Sequence, residues 1–235
     1  MQQKKRSSQL ILILSYITLC TGLLFIFFFD KTTTLQQENK KLEQRNEQLE
    51  LQNSYVLSDT GNFNSTSGYL GWQTINKKAN QLVKESGNRF SKSWAIYLVK
   101  EAQKYNIDPF LVFELLKTET GGTFNPELVG PPTKFGHAYG LAQFMKNTAP
   151  WVAKMGNLPY NEQLLFDPYY SMQLSIVYLD FLHKKYENWN EALTAYHRGM
   201  GGLETFKKEN GHAKSSYAVS IQQRAKTHHN AIASR

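Results

Sequence analysis

The chain opens with a long apolar segment. No charged residue occurs between Ser7 and Phe29, and the apolar run of residues 10–29 is about 20 residues long, which lets a helix cross a bilayer. The run ends in Phe-Phe-Phe-Asp and lacks the small-residue cleavage site of a removable secretory signal. Residues 9–29 are therefore predicted to form a retained transmembrane helix.

Basic residues lie mainly on one side of this segment. Lys4, Lys5 and Arg6 precede it, whereas only Lys31 follows closely. Under the positive-inside rule, this asymmetry predicts a cytoplasmic tail over residues 1–8 and places the rest of the chain outside the cell membrane.

A heptad pattern follows the apolar segment. Leu35, Leu42, Leu49 and Val56 recur every seven residues, and an asparagine falls four positions after each of the three leucines. Leucine at one core position with asparagine at the other is typical of a short, weak coiled coil. Residues 30–57 are therefore predicted to form a stalk, either as a coiled-coil homodimer or as a solvated single helix.

The remainder of the chain changes in composition. Residues 58–74 are rich in Ser, Gly, Asn and Thr, and we predict that they form a linker. Apolar residues three and four positions apart dominate residues 75–235, and no segment alternates convincingly like a strand. The prediction is one globular, mainly α domain.

Helix-start signals support this class. Asp108-Pro109 and Asp167-Pro168 each place an N-cap residue before a proline at the first helical position. Asn190 is the expected cap of a later helix.

Composition narrows the range of partners. The formal net charge of +8 favours an anionic partner such as nucleic acid, lipid headgroups or a cell-wall polymer. No compact Lys/Arg block occurs beyond the N-terminus, which argues against nucleic acid. Cys20 is the single cysteine, and His228-His229 matches no familiar metal-ligand spacing, so no disulfide, metal or cofactor is expected.

The candidate chemistry centres on the stretch LVFELLKTETGGTFNP. At about 100° per residue, Glu114, Lys117 and Thr118 form a polar stripe, whereas Glu119 falls among the apolar residues of the opposite face. A carboxyl group desolvated there has a raised pKa and can act as a general acid. The spacing also fits a helix-terminal glutamate that simply turns to solvent.

Three sequence blocks resemble, in order, the signatures of lytic transglycosylases related to the soluble type and to goose-type lysozymes, the glycoside hydrolase family 23 type. TETGGTFNP resembles Glu-Ser-x-x-Phe-x-Pro, YGLAQFMKNTA resembles the Gly-Leu-Met-Gln block with its Thr-Ala, and ALTAYHRGMGGL resembles Ala-Tyr-Asn-x-Gly. Three residues depart from the family pattern: Thr120 stands for Ser, Ala142 for Met and His197 for Asn.

The resemblance implies a lysozyme-like fold and cleavage of the β-1,4 bond between N-acetylmuramic acid and N-acetylglucosamine in peptidoglycan. Glu119 would serve as the single general acid and base, and the product would carry a 1,6-anhydro end. Tyr196 would orient or contact the catalytic carboxyl. The candidate substrate-binding residues are Thr120, Tyr139, Gln143, Phe144, Tyr196 and His197.

Two alternatives remain open from the sequence. A hydrolytic muramidase on the same fold needs a second carboxylate, for which Glu127, Asp167 and Glu191 are candidates. Asp167 and Glu191 are better explained by the helix starts beside them, which leaves Glu127. The other alternative is a non-catalytic cell-envelope scaffold that binds glycan.

Overall fold

The computed structural model describes residues 21, 22, 25, 28–43, 45 and 69–233. The chain divides into two compact units, residues 1–50 and 51–235, which are considered separately. Within the described residues, no helix combines the length and the apolar character needed to cross a bilayer. Most of the predicted transmembrane segment, residues 9–29, lies outside them and stays a prediction.

The N-terminal unit contains a helical segment over residues 28–43. Leu35 and Leu42, one heptad apart, are 51% and 55% exposed on this segment. These two leucines, here called the stalk seam, are therefore exposed in the single chain. Exposure is compatible with both a solvated single helix and a seam that pairs with a second copy. Leu49 and Val56 lie outside the described residues, and the homodimer stays a prediction.

Helices dominate the described part of the C-terminal unit, which confirms the mainly α class. They are α1 (Tyr69–Glu85), α2 (Lys92–Lys104), α3 (Pro109–Glu119), α4 (Ala149–Met155), α5 (Pro168–Tyr186), α6 (Trp189–Asn210) and α7 (Ser216–Ala233), with a 3-10 turn at Glu162–Phe166.

The first of these helices begins earlier than the sequence suggested. Residues 69–74, assigned above to the linker, belong to α1. Trp72 packs against the core, and Ile75 is fully buried within it. The apolar spacing of the helix thus extends into the Ser/Gly-rich stretch, because tertiary packing outweighs the local composition.

The two Asp-Pro signals are confirmed as helix starts. The Asp108 side chain accepts a hydrogen bond from Phe110 N at 3.1 Å, and the Asp167 side chain accepts one from Tyr170 N at 2.7 Å. Each cap satisfies a backbone N–H that the first helical turn leaves without a partner.

The start and course of α6 differ from expectation. Asn188, rather than Asn190, is the cap, and its side chain accepts hydrogen bonds from the backbone N–H groups of Asn190 and Glu191. Near its middle, α6 is interrupted at Gly199, which has φ 75° and ψ 162°. The segment of Tyr196 and His197 thus ends at a change of direction.

A short β pair was not predicted from the sequence. The strands β1 (Ala138–Tyr139) and β2 (Phe144–Met145) pair antiparallel, with Ala138 opposite Met145 and Tyr139 opposite Phe144. Strands of two residues are too short to show an alternating pattern. The hairpin positions the turn of residues 140–143 for the site.

The helix α3 is the centre of the domain. Every residue from 109 to 116 is buried, and α3 packs against α2, α5 and α7. A helix with apolar partners on several sides is buried around its whole circumference. Its C-terminal end carries Glu119 out of the core towards the loop that follows.

Candidate active site

Glu119 is the last residue of α3 and is partly buried. Its Oε1 atom accepts a hydrogen bond from the Tyr217 hydroxyl at 2.5 Å. Burial raises the pKa of Glu119 to about 7, and the hydrogen bond from Tyr217 only partly offsets that rise. Near neutral pH the carboxyl group can therefore both give up and take back a proton.

Tyr217 lies at the start of α7 and was not singled out from the sequence. Its burial and the neighbouring Glu119 raise its pKa well above the usual value, so the phenol stays a hydrogen-bond donor. The partner lies 98 residues away in the chain, and no block containing Tyr217 was identified in the sequence. Only the packing of α3 against α7 brings the two side chains together.

Tyr196 lies near this pair but makes a different hydrogen bond. Its hydroxyl donates to the carbonyl oxygen of Ala142 at 3.0 Å. Burial and then the charge of Glu119 raise its pKa well above the usual value. The hydroxyl that hydrogen-bonds the carboxyl is thus that of Tyr217, whereas Tyr196 ties α6 to the turn of residues 140–143.

Gln143 is held within that turn in a left-handed conformation, with φ 48°. Its Nε2 atom donates to the carbonyl oxygens of Gly140 at 2.8 Å and Leu128 at 3.2 Å. These bonds fix the orientation of the amide, and its oxygen has no hydrogen-bond donor within the described residues. The oxygen is the atom of Gln143 that remains for a ligand.

Two of the predicted substrate-binding residues, Thr120 and Phe144, have buried side chains, and their contact with substrate stays a prediction. Thr120 is 3% exposed, donates from Oγ1 to Leu116 O and accepts from Phe124 N. Phe144 is 4% exposed, and its ring packs against Tyr196 with centroids 5.8 Å apart. Thr120 secures the turn after α3, and Phe144 belongs to the core.

Tyr139 and His197 remain accessible to different degrees. Tyr139 is half-buried, and its ring meets Phe166 edge-on with centroids 5.8 Å apart. His197 is exposed, and its ring stacks on Tyr217 with centroids 4.5 Å apart and a 17° interplanar angle. His197 thus covers one face of the ring that hydrogen-bonds Glu119, and its predicted contact with sugar stays a prediction.

Glu114 lies on the polar stripe predicted for α3, but its carboxyl group does not face water. Its side chain is fully buried, with Arg224 Nε at 2.5 Å from Oε2 and His228 Nε2 at 2.8 Å from Oε1. Burial opposes its ionisation, but the hydrogen bonds from His228 and Arg224 outweigh burial and lower its pKa. Glu114 and Thr118 of the polar stripe thus bond to polar residues of α7.

The other candidate carboxylates differ in their partners. Asp167 caps α5, and Glu191 forms an ion pair with Lys207 at 3.1 Å. Glu127 is exposed, and its side chain has no partner among the described residues. Of these three, Glu127 is the one whose carboxylate is not already engaged.

The paired histidines bind carboxylates. His228 contacts Glu114, as above, and His229 Nε2 lies 2.8 Å from Asp108 Oδ2. Across the described ranges, no cluster of three or more His, Cys, Asp or Glu residues is arranged to hold a metal ion.

Two of the solved structures that this chain resembles are lytic transglycosylases. Among solved structures, an inactive mutant of the lytic transglycosylase Slt from Pseudomonas aeruginosa shows 16% identity and a TM-score of 0.49, covering 76% of this chain and 35% of that one. The 70 kDa soluble lytic transglycosylase from Escherichia coli shows 18% identity and a TM-score of 0.41, covering 69% and 29%. The chain therefore corresponds to only about a third of either of these proteins.

A sequence-family match covers the residues of the site. The profile of the Transglycosylase SLT domain matches residues 96–219, which is more than half of the chain and includes Glu119, Gln143, Tyr196 and Tyr217. The chain belongs to the Transglycosylase SLT domain family.

Proposed function

We propose that the chain is a peptidoglycan lytic transglycosylase with Glu119 as its single general acid and base. The observation that carries this proposal is the hydrogen-bonded carboxyl group of Glu119, whose pKa of about 7 suits transfer of a proton in both directions. Membership of the family supports the substrate class. The net charge of +8 suits an anionic polymer.

The reaction needs two proton transfers at one carboxyl group. Protonated Glu119 gives its proton to the glycosidic oxygen as the bond to C1 of N-acetylmuramic acid breaks, and the N-acetylglucosamine fragment leaves as an alcohol. Glu119, now a carboxylate, takes the proton from the C6 hydroxyl of the same muramic residue. The C6 oxygen bonds to C1, which closes the 1,6-anhydro ring and returns Glu119 to its acid form.

Tyr217 supports the middle of this cycle. Its hydroxyl donates to Glu119 Oε1, and a hydrogen bond to the charged form of a carboxyl group favours that form. The bond therefore steadies the carboxylate between the two transfers, while burial keeps the acid form accessible near neutral pH. The balance of the two effects leaves the pKa of Glu119 at about 7.

An intramolecular nucleophile removes the need for a second carboxylate. The C6 hydroxyl is already attached to the reacting sugar, so proximity replaces a bound and activated water. A hydrolytic muramidase is the second candidate, and the exposed, unpaired Glu127 is the observation that favours it.

The products of wall digestion distinguish these reactions. Purified cell walls are incubated with the full-length chain, and released muropeptides are analysed by mass spectrometry before and after borohydride reduction. We expect 1,6-anhydro ends that borohydride does not reduce. Walls digested with a hydrolytic muramidase provide the control for reducing ends, which from this chain would support the hydrolytic alternative. Absence of any released muropeptide would support a glycan-binding scaffold.

We further propose that residues 9–29 anchor the domain outside the cell membrane. The absence of charge from Ser7 to Phe29 and the preceding basic cluster support this topology. Protease added to intact protoplasts should then degrade the C-terminal domain. Survival of that domain until the membrane is broken would contradict the proposed orientation.

A further inference from the structure

A polar cluster, buried at Glu114 and His228 and partly exposed at Thr118 and Arg224, joins α3 to α7 next to the candidate active site. Its members, here called the α3–α7 clamp, are Glu114 and Thr118 on α3 and Arg224 and His228 on α7. Arg224 bridges two α3 side chains, because Nε donates to Glu114 Oε2 and Nη2 donates to Thr118 Oγ1 at 2.6 Å. His228 Nε2 lies 2.8 Å from the second carboxylate oxygen of Glu114. Both Glu114 and His228 are buried.

The clamp and the catalytic pair share the same two helices. Glu114 lies between one and two turns before Glu119 on α3, and Arg224 lies about two turns after Tyr217 on α7. A slip of α7 by one turn along α3 would move the Tyr217 hydroxyl by about 5.4 Å, which is enough to break its bond to Glu119. Whatever fixes the register of this helix pair therefore fixes that bond.

Directional polar contacts fix register more sharply than apolar packing does. Burying a charged cluster carries a desolvation penalty, and apolar replacements of similar volume are often equally stable. The contacts of Arg224 with both Glu114 and Thr118 form only at one axial position and one rotation of α7. The apolar residues of the two helices stabilise their packing, whereas the clamp determines their register.

We propose that Glu114, Arg224 and His228 are positioning residues that hold the Tyr217 hydroxyl at hydrogen-bond distance from Glu119. Glu119 carries the chemistry and Tyr217 touches it, and the clamp acts through Tyr217. The catalytic consequence rests on the proposed function, but the positioning itself is measurable without any substrate.

The test is a carbon-13 NMR titration of the Glu119 carboxyl group in the full-length chain, with the signal assigned by its loss in Glu119→Gln. Tyr217→Phe removes the hydrogen bond that favours the carboxylate, so the pKa of Glu119 should rise. Arg224→Met should raise it in the same direction. The double variant should show no rise beyond Tyr217→Phe, because the clamp acts only through that bond. Arg89→Met, at an exposed arginine between α1 and α2, is the matched control and should leave the titration unchanged.

Arg224→Lys separates position from charge. Lysine keeps the positive charge but cannot bridge Glu114 and Thr118 in the planar two-point geometry of a guanidinium group. The Lys variant should therefore shift the titration as Arg224→Met does. Two results would overturn the proposal: an unchanged pKa of Glu119 in Arg224→Lys, or a pKa shift in the double variant equal to the sum of the single shifts. Either would mean that the charge of Arg224 acts directly on Glu119.

An unchanged titration in Arg224→Met would also overturn the proposal. If that variant does not fold, Thr118→Val removes only one of the clamp contacts. Thr118→Val should raise the pKa of Glu119 by less than Tyr217→Phe does. An unchanged pKa in Thr118→Val would also overturn the proposal. Muropeptide release is measured on the same samples. If the NMR coupling is observed but wild type releases nothing, the proposed function fails while the positioning stands.

Discussion

The Tyr217 hydroxyl lies 2.5 Å from Oε1 of Glu119, so that the start of α7 meets the last residue of α3. The rest of the site is arranged around this contact. His197 covers the Tyr217 ring, and Tyr196 links α6 to the turn that holds Gln143. The contact also allows the acid strength of Glu119 to be changed without altering Glu119 itself.

Tyr217→Phe should move the pH dependence of activity. A general acid must be protonated, so kcat/KM should fall as pH rises past the pKa of Glu119, which is about 7 in the wild type. Loss of the hydrogen bond should shift this alkaline limb to higher pH and lower the maximal rate about 10- to 100-fold, since a hydrogen bond to a charged group contributes roughly 1.5–3 kcal/mol.

The control for this variant is Tyr105→Phe, at the C-terminal end of α2. Its pH profile should match that of the wild type. An alkaline limb that stays in place in Tyr217→Phe would show that the hydrogen bond does not set the acidity of Glu119.

Glu119→Gln should alter the pH dependence of stability. The pKa in the folded state, about 7, lies above the ordinary value of 4.5. Between these two values the unfolded chain loses the Glu119 proton while the folded chain keeps it, so the free energy of unfolding falls as pH rises. Glutamine does not ionise. The variant should therefore gain stability relative to wild type from about pH 4.5 to 7, by on the order of 3 kcal/mol, and the difference should then level off.

Denaturant unfolding of both proteins across this pH range measures the difference. Glu85→Gln, at an exposed position at the end of α1, should show no such trend. A constant difference between Glu119→Gln and wild type at all pH values would show that burial does not raise the pKa of Glu119.

Gly140→Ala should destabilise the turn that carries Gln143. Gly140 has φ 73°, and a Cβ atom there would lie 1.8 Å from Leu165 O, so the backbone has to move. We expect a loss of at least about 2 kcal/mol in the free energy of unfolding, together with weaker binding of glycan. Gly136→Ala, where φ is also positive but no atom lies within 4 Å, should cost less. Equal losses at the two positions would contradict the predicted clash.

The stalk makes a separate prediction. Leu35→Asp with Leu42→Asp places charges on the seam of residues that are exposed in the single chain, so chemical cross-linking of the tethered protein should fall. Gln37→Asp with Gln44→Asp adds the same charges at positions that the predicted heptad pattern assigns outside the seam. Cross-linking that is identical in wild type and both double variants would remove the case for a coiled coil.

The sequence predicts local signals well and long-range contacts poorly. Asp108 and Asp167 were identified correctly as caps, because a capping hydrogen bond involves neighbours within three residues. The surroundings of Glu114 were not predicted, because a helical wheel shows that a stripe is polar but not whether water or another helix faces it. Its partners, Arg224 and His228, belong to α7 and follow Glu114 by 110 and 114 residues in the chain.

The candidate site was also predicted only in part, because some of its contacts join residues that are far apart in the chain. Three short blocks located Glu119, Gln143 and Tyr196, which share one region of the fold. The blocks did not reveal that Thr120 and Phe144 are buried, since burial depends on how the helices pack. Phe144, for example, is covered by Tyr178 of α5 and Tyr196 of α6. Tyr217 was missed because its role exists only once α7 lies against α3.

The central claim is that one carboxyl group performs both proton transfers, and Glu119→Gln tests it most directly. The variant keeps the size of the side chain and resembles the neutral acid, but it cannot transfer a proton. The initial rate of 1,6-anhydromuropeptide release from purified walls should fall at least about 10²–10⁴-fold. Glu85→Gln should retain the wild-type rate. Release by Glu119→Gln at close to the wild-type rate would contradict the account and make Glu127 the next acid to test.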